Sequence, residues 1–161
     1  MIRAPKGGAF VLFVYGTLKC GFGNHERFCR GVSNIEKALV PGELYELPFG
    51  FPALVVARDL IRATGPRDPS ADAATQRRLD EPLPSLATDD SRVFGELLTF
   101  DDPEDRLPGL DQLEGFEPGG NSLYRRVLVP VQTANSNLWA WAYAIDSPAG
   151  ARVSSGFWSP E

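Results

Sequence analysis

The residue best placed to do chemistry is a glutamate standing where a leucine would be expected. In Leu107-Pro108-Gly109-Leu110-Asp111-Gln112-Leu113-Glu114-Gly115 the leucines predict a short helix, and Leu107, Leu110 and Glu114 follow the i, i+3, i+7 spacing of its apolar stripe. A carboxylate on an inward-facing stripe loses hydration, and its pKa rises toward the range useful for proton transfer. Two readings of Glu114 stand: a general acid and base, or a helix-terminal partner for Arg125 or Arg126. Asp111, one turn earlier, either tunes Glu114 by like-charge repulsion or faces solvent.

A second feature is Tyr15-Gly16-Thr17-Leu18, directly after the apolar run Phe10 to Val14. A glycine after a strand lets the chain turn sharply and expose successive N–H groups, which form an anion nest with no basic side chain. The plainer reading is a strand-ending glycine. No other catalytic device is visible. The chain has one histidine, His25, and two cysteines, Cys20 and Cys29, too few for a zinc set or a disulfide scaffold. Gly21-Phe22-Gly23 lacks the third glycine of a dinucleotide loop, and there is no phosphate-binding loop. One inward-facing carboxylate and one backbone nest suit acid–base chemistry on a small anionic substrate, with no cofactor and no metal.

The elements that must position these groups read mainly as strands: Phe10 to Tyr15, Leu39 to Leu47, Val93 to Phe100, and a hairpin of Tyr124 to Gln132 with Leu138 to Ile145. Helices are expected only near Asn24 to Cys29 and through Glu114, the latter capped by Asp101 or Asp102 and stopped by Gly115. The fold class is therefore α+β, mainly β: a small barrel with short helices packed outside. From Arg58 to Arg92 the chain turns rich in Pro, Asp, Ser and Ala, with a brief helix expected over Ala71 to Leu79. This stretch reads as a long insertion in a single domain of residues 1–161, either a lid or a spacer.

Composition bounds the partners. The 161 residues are 43% hydrophobic and 23% charged, with a formal net charge of −5. That suits one soluble domain and opposes a nucleic-acid footprint or docking on anionic membranes. No apolar run nears the ~20 residues that span a bilayer. The run from Ala9 to Val14 flows into Tyr15 without a small-residue cleavage site, so it reads as a core strand, and a cytoplasmic location is expected.

Phe13-Val14-Tyr15-Gly16-Thr17-Leu18-Lys19, with Gly21, Asn24 and His25, resembles the opening motif of the gamma-glutamylcyclotransferase-like family, in its AIG2-like and gamma-glutamylamine cyclotransferase branch. Phe51-Pro52-Ala53-Leu54, Gly95-Glu96-Leu97, Leu110 to Gly115, Leu123-Tyr124-Arg125-Arg126 and Trp141-Ala142-Tyr143 resemble later family segments, in the family's order. The resemblance departs at Leu98, where the family often has tyrosine, and at the Arg58 to Arg92 insertion. It implies a small closed mixed β-barrel with flanking helices. It implies Glu114 as general base and acid, and the backbone of Tyr15, Gly16, Thr17 and Leu18 as the substrate-holding loop, with Tyr124 and Tyr143 near the pocket. The implied substrate is a small γ-glutamyl compound. Its free amine attacks its own γ-carbonyl, giving 5-oxoproline and an amine. The alternative is a non-catalytic barrel of the same fold that binds a small ligand.

Overall fold

Aromatic and branched side chains dominate Phe10–Val14, and a five-residue strand is the shortest way to bury them on both faces. The computed structural model describes residues 10–15, 34–47, 52–57, 60–64, 92–100, 124–134, 137–146 and 150–157. The expected helices through 24–29, 71–79 and 107–115 lie outside these residues.

The described elements, in chain order, are strands β1 (Phe10–Val14), β2 (Asn34–Pro41), β3 (Glu43–Glu46), β4 (Pro52–Val55), β5 (Ala63–Thr64), β6 (Arg92–Phe100), β7 (Arg125–Thr133), β8 (Asn137–Ala144) and β9 (Ala151–Arg152). The order β2-β6-β1-β8-β7 closes on itself, because β7 also pairs with β2. The result is a closed five-strand barrel. It is mixed: β1 runs parallel to β8 (Leu12 opposite Trp141, Phe13 opposite Ala142), and its other pairings are antiparallel. A second sheet, ordered β4-β3-β9, lies beside the barrel.

Period-two alternation divides each strand between two environments. Phe13, Ala38, Val40, Val93, Leu97, Val127, Val129, Val131, Ala140, Ala142 and Ala144 form one buried cluster to which all five barrel strands contribute. That membership identifies the lumen. Alanines and valines fill it, as the narrow interior of a five-strand barrel requires. Gly95 shows how tight it is: a Cβ there would collide with the Val14 carbonyl and lie 2.9 Å from the Phe13 ring. Leu44, Leu54 and Val56, from β3, β4 and the residue just past β4, belong to the same cluster, so the second sheet plugs one end of the lumen.

The opposite parity makes a second cluster on the outside of β1, β6, β7 and β8, containing Phe10, Leu12, Leu98, Phe100, Leu128, Trp141 and Tyr143. Phe10 stacks on Phe100 at 5.3 Å and on Trp141 at 6.2 Å. Such pairs add about 0.5–1.5 kcal/mol each beyond their buried area.

Three differences from the sequence expectation have local causes. The expected strand over residues 39–47 is two strands with a break at Gly42. A Cβ at Gly42 would sit 2.6 Å from the Val55 carbonyl, so the bend between barrel and second sheet admits no side chain. β2 also begins five residues earlier than expected, at Asn34, because its exposed start is polar and lacks an apolar signature. Finally, the stretch expected as an insertion from residue 58 begins inside the sheet. The Arg62 N–H donates to the Leu128 carbonyl at 2.8 Å, and β5 pairs with Val127 and Leu128 of β7. Residues 65–91 lie outside the described residues.

Candidate functional site

β1 and β8 are parallel and β7 is antiparallel to β8, so three strand termini gather at one end of the barrel: the end of β1, the start of β7 and the end of β8. Tyr15, Tyr124 and Tyr143 therefore meet there, although Tyr15 and Tyr143 are 128 positions apart. All three side chains are buried.

The hydroxyls of Tyr15 and Tyr124 are aimed at backbone. The Tyr15 hydroxyl donates to the Tyr143 carbonyl at 2.6 Å and accepts from the Leu54 N–H at 3.1 Å. The Tyr124 hydroxyl donates to the Pro52 carbonyl at 2.6 Å. The Ile145 N–H donates to the Leu54 carbonyl at 2.9 Å. Three of these four bonds run from the barrel to β4, the strand formed by the Pro52-Ala53-Leu54 motif, and the bond from Tyr15 to Tyr143 stays within the barrel. Buried polar groups satisfied by backbone in this way are costly to disrupt, at about 1–3 kcal/mol per orphaned partner.

The two aromatic candidates share a face. Tyr124 and Tyr143 both belong to the outer cluster, whereas the Tyr15 side chain has the parity of Phe13, on which it stacks at 6.1 Å, and packs with the lumen. Tyr15 thus directs its side chain inward at the barrel's mouth. Gly16, Thr17, Leu18 and Glu114 lie outside the described residues.

The structure separates the two arginines that the sequence left equivalent as partners for Glu114. Arg125 lies at the mouth and pairs with Asp146 at 3.0 Å, with side chains 43% and 62% exposed. Arg126 is 0% exposed. It stands opposite Tyr143 in the β7–β8 register and two residues from Tyr124 on the same face. A guanidinium so deeply buried is found only where acceptors or an opposite charge meet it. Sequence reasoning did not single out Arg126 as a site residue. The signal was available in the alternation of Tyr124, Arg126 and Leu128 along one face of the strand.

Among the described residues no group of three His, Cys, Asp or Glu side chains could hold a metal ion, and no helix is long and apolar enough to cross a membrane. The described part of the candidate site is a barrel end with three buried tyrosines and, among the described residues, a buried arginine.

Solved structures share this architecture. YkqA from Bacillus subtilis is 21% identical with a TM-score of 0.56; the match covers 93% of this chain and 39% of that one, so the chain spans well under half of YkqA. An AIG2-like protein from Mus musculus is 18% identical with a TM-score of 0.56, covering 88% of this chain and 80% of that one. The uncharacterized protein PH0828 from Pyrococcus horikoshii is 19% identical with a TM-score of 0.53, covering 92% and 88%. At these identities the likeness is one of fold. Comparison with curated proteins finds no match. The sequence pattern of one family matches residues 12–81 and 60–160, a span that runs through all nine described strands from Leu12 onward. The chain belongs to the gamma-glutamyl cyclotransferase, AIG2-like, family.

Proposed function

We propose that this protein is a cofactor-independent cyclotransferase that converts a γ-glutamylamine, or a related γ-glutamyl compound, to 5-oxoproline and a free amine. The observation that carries this reading is the gathering of Tyr15, Tyr124 and Tyr143 at one barrel end in a chain of this family. From that end the main chain continues directly into Gly16, Thr17 and Leu18, and Glu114 lies ten positions before Tyr124.

The reaction makes modest demands. The substrate's α-nitrogen forms a bond to its own γ-carbon while the bond from that carbon to the departing nitrogen breaks. The attacking ammonium must lose a proton, and the leaving amine must gain one. One carboxylate, Glu114, takes the first proton and supplies the second. Because the nucleophile is tethered to its target, orientation contributes much of the acceleration. In this proposal the backbone N–H groups of Gly16, Thr17 and Leu18 hold the anionic groups of the substrate, and Tyr124 and Tyr143 border it.

The test is incubation with a panel of γ-glutamylamines and γ-glutamyl amino acids, followed by assay of 5-oxoproline. Release of 5-oxoproline from at least one member is expected. Binding of 5-oxoproline without any turnover across the panel would instead mark a ligand-binding barrel.

A further inference from the structure

We infer that the Tyr15 hydroxyl is a positioning group, which aims the main chain where it leaves β1 for the substrate-holding loop. The inference rests on the proposed cyclotransferase reading. It starts from an excess of chemistry at this residue. Packing alone asks only for a ring at position 15, one that stacks on Phe13 and closes the lumen beside Leu54. Phenylalanine would do that equally well. The hydroxyl adds a donor and an acceptor, both used on main-chain atoms of two other elements, at 2.6 Å to the Tyr143 carbonyl and 3.1 Å from the Leu54 N–H.

These two partners triangulate Tyr15. The Tyr143 carbonyl belongs to β8, the parallel neighbour of β1, and the Leu54 N–H belongs to β4, in the second sheet. Among the described residues, the β1 ladder runs as far as Val14, which faces Glu96 of β6. Tyr15 is the first residue beyond the strand. Its hydroxyl bonds hold it at the point where ladder pairing ends and Gly16 begins. A glycine offers no side-chain restraint of its own, so the direction of the chain there depends on the residue before it. The Leu54 carbonyl also accepts from the Ile145 N–H, so the frame to which Tyr15 is tied is itself anchored to the barrel.

The experiment compares Tyr15→Phe with Val129→Ala, a lumen variant that weakens the fold away from this end. Both are assayed at 25 °C, where each remains folded by circular dichroism. Steady-state turnover is measured together with amide hydrogen exchange at residues 15–18. Tyr15→Phe should lower kcat/KM by about tenfold to a hundredfold, mostly through kcat, as misplacement of a reacting group does. It should also speed exchange at residues 15–18 by about tenfold relative to β7 amides, the scale of a lost buried hydrogen bond. A loss of kcat/KM no greater than that of Val129→Ala would overturn the inference, because the hydroxyl would then serve stability alone. If the wild-type protein releases no 5-oxoproline from any γ-glutamyl compound, the cyclotransferase reading fails. Exchange then decides alone: selective acceleration at 15–18 supports the positioning role, and its absence overturns it. Should Tyr15→Phe not fold, 4-aminophenylalanine at position 15, which keeps a weaker donor and acceptor, carries the same comparison.

Discussion

The inside and the outside of this barrel are built by the same strands and could hardly be more different. The lumen takes Ala140, Ala142 and Ala144 from β8 and Val127, Val129 and Val131 from β7. The outer face takes Trp141, Tyr143, Tyr124, Leu128 and the buried Arg126 from the same two strands or their immediate ends. Apolar side chains pack together through the described lumen, and Leu44 and Leu54 join them from the second sheet. The proposed chemistry belongs to the barrel end where β1 finishes. In the proposed reading, parity assigns packing to the lumen and Tyr124 and Tyr143 to the outer face, with Tyr15 the exception, its ring in the lumen cluster.

The sharpest way to break this division is at the proposed proton carrier. Glu114→Gln should lower turnover by about 10²–10⁴-fold while leaving thermal unfolding nearly unchanged, because the amide is isosteric but cannot carry a proton. Wild-type turnover in that variant would move the chemistry elsewhere. Next in size is the contrast between adjacent arginines. Arg126→Met should cost about 3 kcal/mol or more in denaturant unfolding, since it strips a buried charge from whatever meets it. A loss below about 1 kcal/mol would mean that the burial of Arg126 carries little electrostatic weight.

The lumen should respond in stability only. Ala142→Leu forces extra volume opposite Phe13 and Val127, and should cost about 1–3 kcal/mol by overpacking. Its kcat, measured well below the transition, should match wild type; a tenfold fall would show that lumen and outer face are coupled. The smallest effect belongs to the rim. Arg125→Ala breaks an exposed ion pair with Asp146 and should cost about 0–1 kcal/mol, less in high salt. A larger or salt-independent loss would give the rim a part in the fold that its exposure does not suggest.

Much of the barrel was visible as pattern. β1, β6 and the β7–β8 hairpin fall within a residue or two of the stretches expected from their apolar and branched composition. What escaped did so for physical reasons. The start of β2 carries Asn34, Glu36 and Lys37, which pair by backbone and keep their side chains exposed or half-buried, so no hydrophobic signature marks them. β5 and β9 are two residues each, and so short a strand exists only because another edge is there to receive it. β4 begins with a proline, which argues against a strand unless it lies at an edge, as β4 does. Of the site, the sequence alone marked Tyr15, Tyr124 and Tyr143 through family resemblance, with no indication that two of their hydroxyls would hold the same strand.

By itself the sequence determined the alternation, and with it the sorting of each strand's side chains into two faces, since successive residues of an extended chain point to opposite sides. It also determined the family, because the motifs recur in order along the chain. Only the tertiary structure decided what each face meets. Arg125 and Arg126 are chemically identical neighbours. Closure of the barrel put one at an exposed rim beside Asp146 and the other under a covered face opposite Tyr143. That difference arises from contacts between residues distant in sequence, such as β1 with β8 and Tyr15 with Leu54. Their loop-closure entropy is offset only when the whole barrel assembles, so no local window of sequence contains it.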